Sequence, residues 1–245
     1  MKKYLYLLLM FVCIGFVSCG GDDDDNNNDK PNNESPNSST NGSTNSNGMK
    51  VAEAVDLGLS VKWASWNVGA SAPEDFGNYY AWGELEPKTF YQEVNYSLEK
   101  YRTVTATQHY FTSLISRGNI ADDVNYDVAA AKWGAGWCMP SKAQFEELLT
   151  KCSHGPSTSN GVKGELFVGP NNNTIFLPYC GKRTKETFGV GEYMCYWTST
   201  NDYIIINYQS GLYGVVPLST SSSYSYVAYN DCDASSGLSI RPVKK

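Results

Sequence analysis

Cysteine, histidine and paired carboxylates are the side chains of this 245-residue sequence that could do chemistry. The two histidines, His109 and His154, lie at no spacing from the cysteines that suits zinc. The acid pairs at 122–123 and 146–147 fall on predicted helix surfaces, where solvated charge is the ordinary role. The sequence contains no G-x-S-x-G, no H-E-x-x-H and no glycine-rich phosphate loop. We therefore predict a protein that is not an enzyme and that has no metal site and no cofactor.

Five of the seven cysteines lie in the part of the chain that is predicted to fold. They are Cys138, Cys152, Cys180, Cys195 and Cys232. In an oxidising compartment these five could form up to two disulfides and leave one thiol. Their spacing includes no C-x-x-C and does not settle a pairing, so we predict structural sulfurs without a connectivity.

Cys19 differs from these cysteines because it follows a predicted signal peptide. A positively charged start leads into an apolar run, Tyr4–Val17, which is too short to span a bilayer comfortably. The end of this run resembles a bacterial lipobox, so residues 1–18 are predicted to be removed and Cys19 to be acylated. Phe16 stands where leucine is usual, which leaves ordinary signal-peptidase cleavage or a merely buried cysteine open. Two or three acyl chains would anchor the protein stably, because each buried methylene contributes about 0.8 kcal/mol.

Residues 19–48 are predicted to be the acylated cysteine and a disordered tether. From Gly20 to Gly48 the chain is almost entirely Asp, Asn, Ser, Gly, Thr and Pro, and it cannot bury enough apolar surface to offset its ordering entropy. A flexible coil of this length spans roughly 30 Å. Its acid run, Asp22–Asp25, resembles the export signal of outward-facing lipoproteins in Bacteroides-type bacteria, and a solvated acidic linker is the alternative. We predict a lipid anchor in the outer membrane that faces the cell exterior, with a periplasmic orientation left open.

Residues 49–245 are one domain's worth of chain. Of the 19 basic and 25 acidic residues, three and six respectively precede Met49, which leaves the domain mildly acidic. A nucleic-acid partner would need a basic face, so none is predicted. The predicted contact with the membrane is the lipid on Cys19.

Short apolar runs broken by turn residues predict a mostly β domain with long loops and two helices. The clearer helix follows Ser141, which forms a capping box with Gln144, and is predicted to end at residues 154–155. An earlier helix is predicted to begin at residue 122 or 123 and to stop at Gly134. The predicted strands are VDLGLSVKWA, YYAWGE, GELFVGP, NTIFLPY, EYMCYWTST, DYIIINY, YSYVAYN and GLSIRPV.

Six motifs follow one another along the domain. They are VDLGLSVKWASWNVGA, YYAWGE, KWGAGWCMPSKAQFEEL, IFLPYCG, YWTST and GLSIRPV. In this order they resemble the Fibrobacter succinogenes major paralogous domain (FISUMP) family of surface lipoproteins, over most of Ala52–Val243. The resemblance implies an α+β, C-type-lectin-like fold with small twisted antiparallel sheets, two helices, long loops and termini brought together. One departure is Cys138, which stands where the family usually has arginine and which could replace that contact by bridging.

The tryptophans of these motifs are predicted to be scaffold residues. Large indole rings bury much area, so the core is the expected place for Trp82, Trp133, Trp137 and Trp197. The motifs therefore do not locate a binding site.

The tyrosine-rich segment, residues 201–236, is the predicted ligand-binding region. Its six tyrosines lie among serines and asparagines, with no lysine or arginine. They are Tyr203, Tyr208, Tyr213, Tyr224, Tyr226 and Tyr229. Rigid amphipathic rings with small polar neighbours are typical of antibody-like binding surfaces, whereas an ordinary wet antiparallel sheet is the alternative.

This composition suits recognition of an extracellular glycan or protein ligand. We therefore predict a surface lipoprotein that displays a non-catalytic binding domain. The alternative is a structural or assembly component of the cell envelope that has no small ligand. The sequence does not name the ligand.

Overall fold

The computed structural model of the chain describes residues 42–98, 118–134, 136–200, 202–207, 212–217 and 234–245. Within them the fold is α+β, as the sequence predicts, with small antiparallel sheets and two α-helices joined by long loops. Cys19, Cys232 and the strand YSYVAYN lie outside the described residues, so their predictions stay predictions.

The helices and strands are short. The helices are α1 (Val128–Trp133) and α2 (Lys142–Lys151), with a 3-10 helix at Glu93–Asn95. The strands are β1 (Ser43–Thr44), β2 (Lys50–Val51), β3 (Ala54–Val55), β4 (Lys62–Ala64), β5 (Trp137–Cys138), β6 (Ser153–Ser159), β7 (Val162–Val168), β8 (Thr174–Pro178), β9 (Lys182–Arg183), β10 (Thr187–Phe188), β11 (Met194–Trp197), β12 (Asp202–Asn207), β13 (Leu212–Pro217) and β14 (Val243–Lys244). In the described part of the chain, neither helix is long and apolar enough to cross a membrane.

A four-stranded antiparallel sheet in the order β3-β4-β14-β5 joins the two ends of the domain. Val243 of β14 pairs with Trp63 of β4 and with Cys138 of β5. The stretch 55–64, predicted as one strand, is instead a hairpin. The turn forms because Gly58 adopts a φ of 74° and its N–H donates to the Asp56 side chain at 2.8 Å.

A second sheet has the order β6-β7-β8. The predicted hairpin at the three asparagines is confirmed: Asn172 has a φ of 67°, and Gly169 N donates to Asn173 O at 2.8 Å. The strand β6 was not predicted. Residues 154–155, which were predicted to end α2, lie in this strand. Helix α2 ends at Lys151 because Cys152 already has an extended backbone, with a φ of −91° and a ψ of 145°.

Proline in β6 explains why its sequence does not resemble a strand. The backbone groups of Lys163 and Gly169 form hydrogen bonds with the chain of β8 and its flanking residues. In an antiparallel sheet every second residue of a strand bonds to the same neighbour, so the backbone of Glu165 also bonds to β8 and not to β6. Its partner on β6, Pro156, therefore stands at a position where no N–H is needed for pairing with β7. The outer edge of β6 lacks a donor there, which is a common protection against edge-to-edge association.

The third sheet has the order β11-β12-β13, and α2 packs against β12 and β13. Ile204 and Ile206 of the central strand β12 are completely buried. The strand β13 was not predicted. The predicted strand YYAWGE is wrong, since in the structure it contributes a single bridge from Tyr80 to Leu238.

Both helices are capped by side chains. The capping box of Ser141 and Gln144 on α2 is confirmed. Helix α1 ends at Gly134, as predicted, and this residue has a φ of 89°. Its predicted start at residue 122 or 123 is wrong, because Asp127 is the N-cap.

Residues before Met49 belong to the described fold. Strands β1 and β2 form a small hairpin, and Asn45 Nδ2 donates to the backbone oxygen of Lys132 at 2.7 Å. Gly42 lies so close to the Trp66 ring that a Cβ there would come within 2.3 Å of it. The chain is therefore attached to the domain from Gly42 onwards, within the stretch that the sequence assigns to the tether.

The core is rich in tryptophan, as predicted. Trp82 and Trp197 are completely buried, and each indole N–H donates to a backbone oxygen, at Thr198 (2.9 Å) and Tyr80 (2.7 Å). Trp133 and Trp137 are also buried, and their rings meet edge to face with centroids 5.0 Å apart. These four residues act as scaffold.

Candidate functional site

Two of the six predicted ligand-binding tyrosines lie in described strands. Tyr203 of β12 pairs with Val216, and Tyr213 of β13 pairs with Ile206. Residues directly opposite in an antiparallel pair share a face, and neighbours along a strand alternate. Tyr213 therefore occupies a position on the face of the buried Ile206, and Tyr203 a position on the other face. The remaining four, Tyr208, Tyr224, Tyr226 and Tyr229, lie outside the described residues.

The hairpin of β12 and β13 is the main part of the tyrosine-rich segment that the structure describes, and it pairs with a buried strand. Its central strand pairs along β11, and all four residues of β11 are buried. The Thr198 hydroxyl donates to Asp202 O at 2.9 Å, which fixes the start of β12. A buried, paired strand of this kind is the usual support for binding residues nearby in sequence.

The cluster of His154, Glu165 and Tyr179 has the greatest catalytic potential among the described residues. Glu165 points from β7 into the core and is completely buried. His154 Nδ1 lies 2.7 Å from Glu165 Oε1, and the Tyr179 hydroxyl donates to Oε2 at 2.7 Å. The His154 ring also stacks on Phe167, with centroids 4.9 Å apart. The sequence analysis missed this cluster, although an acid inside the apolar strand GELFVGP is a signal for a buried carboxylate.

A histidine oriented by a carboxylate is half of a nucleophile–base arrangement, which also needs a nucleophile and a cavity for substrate. A cavity of about 410 Å³ among the described residues lies elsewhere, between Ser60 and residues 143–151 of α2. Hydrogen bonds occupy both oxygens of Glu165 and join β6, β7 and the residue after β8. We therefore interpret the cluster as a structural tie between strands.

Asp127 lies where the sequence begins like a calcium loop, at Asp123, Asn125 and Asp127. The glycine and the glutamate that such a loop needs at its sixth and twelfth positions are Val128 and Gly134. The structure uses Asp127 differently, because each of its carboxylate oxygens accepts two backbone N–H bonds. The donors are Ala129 (2.8 Å), Ala130 (3.2 Å), Asp122 (3.0 Å) and Met139 (2.9 Å).

Metal binding has no further support in the described part of the chain. There, no three or more histidine, cysteine, aspartate or glutamate side chains converge in a way that could hold a metal ion. Asp127 thus serves as a helix cap that also ties the loop before α1 to Met139.

Four of the five domain cysteines are described, and all four are buried thiols outside any disulfide: Cys138, Cys152, Cys180 and Cys195. Cys180 Sγ contacts the backbone oxygen of Cys195 at 3.5 Å, which is a weak hydrogen bond and not a disulfide. The bridge through Cys138 that the sequence allowed is absent in this structure. Burial raises the pKa of Cys138 to about 12, and the nearby Asp122 and Asp127 add to the effect.

This burial predicts a thiol at Cys138 that does not react in the folded protein. We expect native chain treated with iodoacetamide to leave Cys138 unmodified over a time in which urea-unfolded chain is fully labelled, because the thiolate is the nucleophile. With a pKa of about 12, residual labelling should rise about tenfold per pH unit from about pH 8 to about pH 10. Peptide mass spectrometry measures this, and equal labelling of native and unfolded Cys138 would contradict it.

No family model, no curated protein and no solved structure matches this chain. The family resemblance and the C-type-lectin-like fold therefore stay predictions.

Proposed function

We propose that the protein is an outer-membrane surface lipoprotein whose folded domain binds an extracellular glycan or protein ligand without catalysis. The observation that carries this proposal is the base of the tyrosine-rich segment. The described part of the segment is mainly the hairpin of β12 and β13, and Ile204 and Ile206 of β12 are completely buried. Tyrosine provides large contact area at low entropy cost when its backbone is held in place.

The remaining chemical groups favour binding over catalysis. Asp127 and Glu165 are engaged in hydrogen bonds that hold strands and a helix together. The four described cysteines are buried thiols. Function in this proposal therefore rests on the polar and aromatic composition of residues 201–236, which has no lysine or arginine.

The predicted acyl chain on Cys19 and the polar chain after it support display at a membrane. The tether would let the domain reach roughly 30 Å from the surface. The attachment of Gly42 and Asn45 to the domain supports a defined point at which the tether joins the fold. A displayed domain with a fixed attachment point suits capture of a ligand outside the cell.

Glycan and protein arrays probed with the chain test this proposal. We expect a partner, and we expect its binding to be lost when Tyr208, Tyr213 and Tyr226 are changed to serine, because ring contacts dominate such surfaces. A second serine variant changes Tyr208 and Tyr226 alone. It leaves Tyr213 unchanged because that residue belongs to the paired strand β13, so the fold of the hairpin is not altered. The matched control changes the same positions to phenylalanine, which keeps the rings.

Melting temperatures of all variants are compared with that of the wild type. Lost binding with an unchanged melting temperature supports the proposal. Normal binding by both serine variants would show that the ligand contacts another part of the domain.

A further inference from the structure

Two lysines stand side by side on the sheet that joins the ends of the domain. Lys62 of β4 and Lys244 of β14 are direct partners in the antiparallel register, so they share one face. We call this pair the lysine face. Like charges directly opposite each other are destabilising. Among the described residues neither lysine forms an ion pair, whereas the neighbouring Lys245 pairs with Asp122.

The ammonium group of Lys244 is held in place. Lys244 also pairs with Trp137 on its other side, and its Nζ lies 5.5 Å from the Trp137 ring centroid. A cation over an indole face is attracted to it and loses freedom. Lys62 beside it is exposed. The sheet thus presents two positive charges, one of them held over the Trp137 ring, and neither has an ion-pair partner among the described residues.

The lysine face lies close to the point where the tether joins the domain. Asn45 bonds to the backbone of Lys132, at the end of α1. The next residue, Trp133, packs against Trp137, and the Lys244 ammonium lies over the Trp137 ring. Three successive contacts therefore connect Asn45, near the start of the folded chain, to Lys244 of the lysine face. Lys132 itself is paired with Glu86 and does not add free charge.

We infer that the lysine face rests on an anionic lipid surface next to the tether. Each lysine that reaches such a surface strengthens attachment about fivefold, and the effect falls with salt. In the anchored protein the tether also raises the effective concentration of the lipid at the lysine face, which populates the contact further. The contact orients the domain with its tether end towards the membrane. The inference rests on the proposed function only through the anchor at Cys19.

Vesicle sedimentation tests the contact without the anchor. The probe is the chain from residue 19 with Cys19→Ser, so that no acyl chain contributes, mixed at low salt with phosphatidylcholine vesicles with and without phosphatidylglycerol. We expect binding to the anionic vesicles alone. The Lys62→Gln, Lys244→Gln double variant should bind about 10- to 30-fold more weakly.

The matched control is Lys163→Gln, Lys185→Gln, which removes the same charge from two exposed lysines elsewhere. It should change binding less than about twofold, which separates a defined face from net charge. Equal losses in both variants, or no preference of the parent chain for anionic vesicles, would overturn the inference. Because this assay contains no glycan or protein ligand, its failure leaves the ligand-binding proposal standing, and the reverse also holds.

Discussion

Replacing Arg241 by alanine is expected to lower the free energy of unfolding by about 3–5 kcal/mol. The Arg241 side chain is completely buried between segments that are distant in sequence. Its guanidinium donates to Asn67 Oδ1 at 2.8 Å, to Ala64 O at 3.0 Å and to Phe176 O at 2.9 Å. Alanine would leave these three acceptors buried without a donor and would also create a cavity.

Lysine at this position should recover only part of the loss, because an ammonium cannot reproduce the planar fork of donors. Urea unfolding of both variants measures the effect. The matched control is Arg183→Ala, which removes a partly exposed guanidinium that donates to Thr89 O at 3.3 Å and lies 5.5 Å from the Tyr79 ring centroid. We expect the control to lose less than about 1 kcal/mol. A similarly small loss for Arg241→Ala would contradict the role given to this residue.

The second large effect is expected at Asp127, where alanine should lower the free energy of unfolding by about 2–4 kcal/mol. The change removes the N-cap of α1 and leaves four backbone N–H groups without their acceptor. Two of these donors, on Asp122 and Met139, lie outside the helix. The loss should therefore exceed that of an ordinary cap.

Comparison with Ser141→Ala isolates the additional part, since Ser141 caps α2 in the usual way and its loss should be about 1 kcal/mol. Asp127→Asn should fall between wild type and alanine, because one side-chain oxygen remains as an acceptor. Thermal or urea unfolding measures all three. Equal losses for Asp127→Ala and Ser141→Ala would mean that the bonds to Asp122 and Met139 contribute nothing.

The elements that follow from local sequence could be predicted. The capping box of α2 and the asparagine turn between β7 and β8 depend on residues within a few positions of each other. The start of α1 could not be predicted in this way. Asp127 is favoured over Asp122 and Asp123 as the cap because its carboxylate also reaches Met139, and that contact exists only after the chain folds.

The strand β6 shows the same limit in a sheet. Its sequence, SHGPSTS, has neither the alternation nor the β-branched content of a strand, and it pairs because β7 offers a long edge. The contact of His154 with Glu165 depends on this register. Two residues that are 11 positions apart thus become partners without any sequence motif.

The tyrosine-rich segment could be recognised only by composition. Composition does not give the face on which each residue lies, and the register of β12 and β13 assigns Tyr203 and Tyr213 to opposite faces. The lysine face was missed for a related reason. Lys62 and Lys244 are far apart in sequence and become neighbours only because β4 and β14 pair.

Protease treatment of intact cells tests the central claim, that the domain is displayed on the outside of the outer membrane. Wild type is compared with a variant in which Asp22–Asp25 are replaced by alanine, and with lysed cells as the control for protease access. We expect mass spectrometry to find the domain released from intact wild-type cells and protected in the variant until lysis. Protection of the wild-type domain in intact cells would place it in the periplasm and contradict the account.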